Sequence, residues 1–385
     1  MALDFTTGVL DPRVTFTRAS TATFVGSNGL IQTAAINAPR FDYSPSTLAP
    51  KGLLIEEQRA NLFVQSQFQA SWTANAGTTT FLGTYVTSPD GTDNGRILND
   101  TSAAAAAYVF QSVSFTSGTV YTLSVYVKKG VSRYFALTSF TQSGRALFDL
   151  NNYSLSSVTG IVTSATITDA GGGWYRCTAT MTASATGANN LGFGDFEAGP
   201  TGDLYYLWGA QIEAGAFATS YIPTVASQAT RNPDLVSMTG TNFSDWYNAS
   251  EGAVFVQIFR GDATGSSRGA WRIDSGATNN GMDYRPYGSN NTVNISGASQ
   301  VDIYPGGGVA NSVVRNVFGY KVNNFAAATN GGAAVTDTLG NLPTVNQMVI
   351  GGLSSATGQI LCGHVQKMSY WPQRLTEAEI RAFSK

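Results

Sequence analysis

Residues 204–224 read LYYLWGAQIEAGAFATSYIPT. Leu204, Tyr206 and Trp208 alternate with Tyr205 and Leu207, the pattern of a strand covered on both faces. Gly209 breaks the run, residues 211–213 resume it, and Gly215 and Pro223 mark an exit. A strand this apolar, followed by a turn and a polar tail, is expected to close a β-sandwich. Its partners lie before it, and a second domain follows.

Residues 61–224 carry the densest strand pattern. In residues 120–128, VYTLSVYVK, the side chains of Tyr121, Leu123, Val125 and Val127 share one face at period two. Turn signals stand at residues 89–92 and at Gly171, Gly172 and Gly173. About eight or nine strands spaced near ten residues predict a sandwich or jelly roll. Residues 225–240 read as a polar linker containing Thr230, Arg231, Asn232 and Pro233. A second strand-rich unit is expected over 241–385, with a hairpin turn at Asn330, Gly331 and Gly332. It ends in a helix. Thr376 is its N-cap, Glu379 completes a capping box, and Leu375 and Ile380 occupy the staple positions.

Residues 1–60 hold many Pro, Thr, Ser and Asn and only short apolar groups. A hairpin is expected around Ser27, Asn28 and Gly29, and a short strand at Lys51–Ile55. Such a segment buries little by itself. It reads as an attachment arm lying on another domain or a neighbouring subunit.

Charged residues make up 12% of the 385, against roughly 25% in an average soluble protein, and glycines number 42. That mix suits short strands and turns. The net charge of −2 advertises neither nucleic acid nor an anionic membrane. No apolar run is long enough to span a bilayer, and the first residues lack the basic and apolar regions of a signal peptide. Cys177 and Cys362 fall in different units and read as two buried thiols.

Six blocks in order carry a resemblance: NLFVQSQFQASW (61–72), SPDGTDNGRI (88–97), YTLSVYVKKG (121–130), ALFDLNN (146–152), GGGWYRCTATMTA (171–183) and LWGAQIEAGAFATSYIPT (207–224). They resemble a jelly-roll domain common in tailed-phage structural proteins and similar to xylanase-associated carbohydrate-binding modules. Residues 18–43 and 52–62 resemble the leader that precedes it in tail, fibre and spike proteins. Residues 358–383 resemble the last strand and helix of a laminin-G or concanavalin-like lectin sandwich. The resemblance implies an all-β virion protein with two tandem jelly-roll or β-sandwich domains behind an extended arm. It implies a fibre, spike or decoration subunit, made without export, that displays a glycan- or host-surface-binding domain. Its partners would be other virion proteins and a host-surface glycan, and its assembly a homotrimer. The rivals are a purely architectural virion protein and a glycan depolymerase. The non-enzyme reading is preferred, because the long β-helix of repeated coils common in depolymerases has no counterpart period here.

Trp174 and Trp208 read as scaffold, with Arg176 pairing an acid or capping carbonyls. Trp72 reads as packing the end of the sandwich. The glycan-site candidates lie in the second unit: Trp271, Asp283, Tyr284, Arg285, Tyr287 and Tyr304. Flat aromatic faces match the apolar face of a pyranose, and the charged neighbours match its hydroxyls. The opposing reading is that tyrosines fill strands. No catalytic residue is expected. His364 and Cys362 lie two apart on one strand without a third group to orient them. Glu56 and Glu57, with Arg59 nearby, read as ion-paired or solvated. No cofactor or metal is expected, and a structural calcium at an acid such as Asp203 or Glu213 stays open.

Overall fold

The computed structural model describes residues 1–69, 71–75, 79–101, 106–195, 201–261, 268–277, 279–353 and 359–385. As expected, the chain is all-β, with two sandwiches and a short C-terminal helix.

The first sandwich packs two six-stranded antiparallel sheets. One runs Val162–Gly171, Trp174–Thr182, Val120–Lys129, Gly202–Ala214, Asp93–Asp100, Thr79–Thr87. The other runs Ser154–Thr159, Gly144–Asp149, Tyr134–Ser139, Gly187–Asp195, Ala107–Phe115, Thr73–Ala74. The period-two face of Tyr121, Leu123, Val125 and Val127 meets Phe135, Leu137 and Phe193 in the core. Trp72 packs on Phe63, Phe68 and Phe193 at the end of this core.

Gly202–Ala214 closes the sequence of strands but lies inside its sheet, between Val120–Lys129 and Asp93–Asp100. That position explains its two apolar faces. Leu204, Tyr205 and Leu207 enter the core, while Trp208 joins an outer-face cluster with Tyr126, Trp174 and Tyr221. Gly209 sits at the register shift against Val120–Lys129, at φ +66°. A Cβ there would stand 2.9 Å from the Tyr126 ring, so this close approach requires glycine.

The second sandwich departs from the expected division of the chain. Its eight-stranded sheet runs Val335–Asp337, Phe325–Thr329, Ser312–Lys321, Glu251–Arg260, Gly363–Trp371, Pro50–Ile55, Phe41–Tyr43, and Ala2–Asp4 also pairs with Gly363–Trp371. Its seven-stranded sheet runs Thr15–Thr17, Leu235–Thr239, Gln347–Ile350, Trp271–Asp274, Gly281–Arg285, Asn290–Ile295, Ala298–Ile303. Residues 1–60, read as an attachment arm, thus contribute four strands to this sandwich. The apolar groups are short because they sit on short elements: Leu3, Phe16, Leu53 and Ile55 enter its core from strands, and Phe5 enters from the 3-10 turn Phe5–Thr7. Residues 225–240, read as a linker, include the strand Leu235–Thr239, whose Val236 and Met238 face the same core.

The first sandwich is therefore strung between two halves of the second. Where the chain enters and leaves it, Arg59–Asn61 pairs antiparallel with Ala229–Arg231. Buried Asn61 locks this ribbon. Its Nδ2 donates to the carbonyls of Ala210 and Ile222, and its Oδ1 accepts from the amides of Phe63 and Ile212. The expected N-terminal hairpin forms as Ala22–Val25 against Ile31–Ala34, and its Ile31 packs on the outer-face aromatic cluster of the first sandwich.

The C-terminal helix, Glu377–Phe383, carries the expected capping box. Thr376 Oγ1 accepts from the Glu379 amide, and Glu379 Oε2 accepts from the Thr376 amide at 2.8 Å. Leu375 and Ile380 are buried in one cluster against the eight-stranded sheet.

Candidate functional site

The six predicted contact residues do not form an open site. Trp271 and Tyr284 are cross-strand partners, and both rings are fully buried in the core of the second sandwich. The alternation that made the segment look like a mixed aromatic and charged loop is that of a strand. Tyr284 points inward, and Asp283 and Arg285 point to the other face. Asp283 is also fully buried. It accepts from Arg272 at 2.7 Å, Arg285 at 2.8 Å and Thr292 at 3.0 Å, leaving it committed to the protein. Tyr287 donates to the Leu361 carbonyl, and Arg260 stacks on its ring 4.3 Å from the centroid. Only Tyr304 is well exposed, with its hydroxyl on Asp302. As a stacking site, Trp271, Asp283 and Tyr284 are corrected to interior residues.

The other readings resolve locally. Cys177 and Cys362 are free and buried. Burial pushes the Cys362 thiol up to about 12, so it holds its proton at neutral pH. Arg268 donates to its sulfur, whereas His364 faces Asp42. The two side chains are therefore no nucleophile and base pair. Glu213 is filled by Gln211 and Thr219, and Asp203 accepts from Asn99. Among the described residues no three His, Cys, Asp or Glu side chains gather as a metal cage.

Where the two sandwiches meet, the chain builds a buried ion network. Arg40 Nη1 donates to Glu56 at 2.7 Å, to the Thr23 carbonyl and to Ser220, and its Nη2 binds Asp234. Arg18 binds the other oxygen of Asp234 at 3.1 Å, and Arg231 lies 2.9 Å from Glu56. Burial alone would raise the Glu56 carboxyl. The Arg231 and Arg40 charges and the Ser220 hydrogen bonds outweigh it and hold the group far below the usual carboxylate range. Glu57 is ion-paired too, with Arg59 and Arg268. The N-terminal segment, the tail of the first sandwich at Ser220 and the re-entry segment at Arg231 and Asp234 all join this network, so it fixes one sandwich against the other.

Beside this network the outer faces of two sheets face each other across a cleft. From the first sandwich come Tyr126, Arg176, Thr166 and Thr168. They lie on the face opposite the Leu123, Val125 and Cys177 core. From the second come Asp42, Lys51, Leu54, His364 and Phe259, and Val25 and Ile31 of the hairpin close one side. The space divides into cavities of about 280 Å³ and about 490 Å³. Lys51, Tyr126 and Arg176 line both.

The polar groups of the cleft are only partly satisfied. His364, mostly buried, makes a 2.8 Å bond from Nε2 to Asp42, and its Nδ1 has no partner among the described residues. Burial works to raise the Asp42 carboxyl, but the His364 hydrogen bond and the His364 and Lys51 charges hold it below its ordinary value. Arg176 donates to the Thr219 carbonyl at 2.7 Å and to Ser124 at 2.9 Å, capping a carbonyl as expected, and its Nε has no partner among the described residues. Burial raises the Tyr126 hydroxyl, so it stays protonated, and Arg176 lies 5.3 Å from its ring centroid. Sequence reasoning missed this constellation because its members lie on strands distant in the chain. The one available signal was His364, the single histidine.

No protein-family model matches the chain, and no curated protein matches it in sequence. Several solved structures are similar to it. A Bacteroides ovatus protein described as carbohydrate binding is 11% identical, with 72% of this chain and 79% of that one covered and a TM-score of 0.27. The tandem CBM22 domain of Paenibacillus barcinonensis Xyn10C is 10% identical, over 86% and 95%, with a TM-score of 0.28. Trypanosoma rangeli sialidase with sialic acid bound is 9% identical, over 79% of this chain, with a TM-score of 0.27. The chain spans 61% of that sialidase's length. The similar structures thus include β-sandwich proteins of the carbohydrate-binding-module kind. They also include enzymes, so the non-enzyme expectation is withdrawn. Likenesses at this level assign neither ligand nor activity to this chain.

Proposed function

We propose that the chain is a surface-glycan-binding protein whose saccharide site is the cleft between its two sandwiches. The carrying observation is the convergence of Tyr126, Arg176, Lys51 and His364, from two different sheets, on one concave space. A concave space at a domain junction, part apolar and part polar, is where small-molecule sites collect. The threonine hydroxyls, the phenol and the charged groups suit a polyol, and Phe259 and Ile31 suit the apolar faces of sugar rings. The block resemblance further supports a virion role, as a fibre, spike or decoration subunit that assembles as a homotrimer with other virion proteins and contacts a host-surface glycan.

The test is binding of the full chain to an array of bacterial surface glycans, with release of reducing sugar followed in parallel to separate binding from cleavage. Thr168→Trp, at an exposed position lining the larger cavity, should block the cleft. Expected is selective glycan binding that this variant abolishes with its melting temperature unchanged. Absence of binding, or binding indifferent to the blocked cleft, overturns the proposal. Antibody labelling of virions and mass photometry test the virion role and the trimer.

A further inference from the structure

The charges of the cleft do not cancel where its two cavities join. Asp42 is bonded to His364 at 2.8 Å, with Lys51 3.8 Å away. Glu56, which lines the smaller cavity, is held by Arg40 and Arg231. Asp169 lines only the larger cavity, and its Oδ1 accepts from the Gly171 amide at 2.8 Å. Arg176 lies at the join and makes no ion pair among the described residues. Two of its five N–H donors are used, by the Thr219 carbonyl and Ser124. Left over are one hydrogen on each Nη and the Nε, which is shielded from solvent. Lys51, about one-third exposed, brings a second cation to the same place from the opposite sandwich.

A guanidinium with free N–H donors, set beside an ammonium in a partly desolvated cleft, matches a carboxylate better than a hydroxyl. Charge-assisted hydrogen bonds are roughly twice as strong as neutral ones, and the guanidinium fork fits both carboxylate oxygens. Tyr126 lines the same junction and supplies a ring edge and a protonated hydroxyl beside the anion.

We propose that the saccharide taken at this site is acidic, a uronic acid or other carboxylate-bearing sugar, with its carboxylate held by Arg176 and Lys51. The inference rests on the saccharide-binding reading above and adds the class of sugar. His364, bonded through Nε2 to Asp42, lines the smaller cavity where the neighbouring part of the same saccharide would lie.

The experiment uses matched glycans. Acidic bacterial polysaccharides are compared with their carboxyl-reduced forms, in which each carboxylate has become a primary hydroxyl. Binding of the full chain is followed by isothermal titration and by the fluorescence of Trp174 and Trp208, which pack with Tyr126. Expected is at least tenfold weaker binding of the reduced forms and a loss of similar size with the acidic forms in Lys51→Gln and in Arg176→Gln. Lys51→Gln changes a partly exposed side chain, so the inference remains testable if Arg176→Gln fails to fold. In both variants the preference for the acidic over the reduced form should be lost. Equal binding of acidic and reduced forms, blocked by Thr168→Trp, overturns the acidic assignment and leaves the saccharide site standing. No binding of either form overturns both.

Discussion

Arg40 donates to Glu56 at 2.7 Å, and neither side chain is more than 7% exposed. The pair stands where three segments of chain converge: the N-terminal strands, the tail of the first sandwich at Ser220, and Asp234 at the re-entry into the second. Breaking one partner of a buried pair leaves an uncompensated charge, which costs about 3–5 kcal/mol. Glu56→Gln leaves Arg40 and Arg231 sharing fewer acids and should lower unfolding free energy in urea by that amount. Replacing both partners by apolar residues, Arg40→Met with Glu56→Leu, should restore part of the loss. A double variant less stable than Glu56→Gln would mean that the pair adds net stability rather than fixing geometry.

The same network sets the acid limit of the protein. The folded-state Glu56 carboxyl lies far below its ordinary value of about 4.5, and Asp42 is also depressed. For a depressed carboxylate, the unfolded state binds more protons as pH falls through the ordinary value. The stabilisation is therefore fully present above about pH 4.5 and is lost progressively below it. Urea midpoints measured from pH 7 down to pH 3 should hold level and then fall below pH 4.5, more gently in Glu56→Gln. A variant whose acid profile matches the parent's would remove Glu56 from this account.

Trp271 and Trp208 are both fully buried, one in the core of the second sandwich and one in the aromatic cluster outside the first. Truncating a large buried aromatic costs about 3–5 kcal/mol. Trp271→Ala should therefore reduce hydrogen-exchange protection in the strands around Trp271–Asp274 and Gln347–Ile350. Trp208→Ala should do so around Val120–Lys129 and Asp93–Asp100. A Trp271→Ala protein with parental protection and altered glycan binding would return that residue to a site role.

Period-two patterns made the strands legible, and local capping chemistry made the last helix legible down to Thr376 and Glu379. The partners of those strands were not legible. Leu53 and Ile55 announce a strand, but nothing in their spacing says that it pairs with Val365 and Gly363, more than 300 residues on. The site failed for a related reason. Aromatics near charges in residues 283–287 look like a ligand loop until strand alternation assigns Tyr284 to the core. The cleft instead joins Lys51, Tyr126, Arg176 and His364, four residues with no local motif among them.

The interleaving predicts how the chain can be cut. A chain lacking residues 1–60 loses the strands Ala2–Asp4, Thr15–Thr17, Phe41–Tyr43 and Pro50–Ile55 from the second sandwich, and with them Phe5, Phe16, Leu53 and Ile55 from its core. It also loses Arg18, Arg40 and Glu56, which removes both arginines paired with Asp234 and the acid paired with Arg231. Its second sandwich should not fold cooperatively. Residues 61–228 keep both six-stranded sheets and the core between them, so this segment alone should fold. Adding the separate peptide 1–60 to the shortened chain should restore the missing transition, because its strands pair directly with Gly363–Trp371 and Leu235–Thr239. Calorimetry of the three samples decides it. Two full transitions in the chain lacking residues 1–60 would show that the N-terminal strands are a dispensable arm after all.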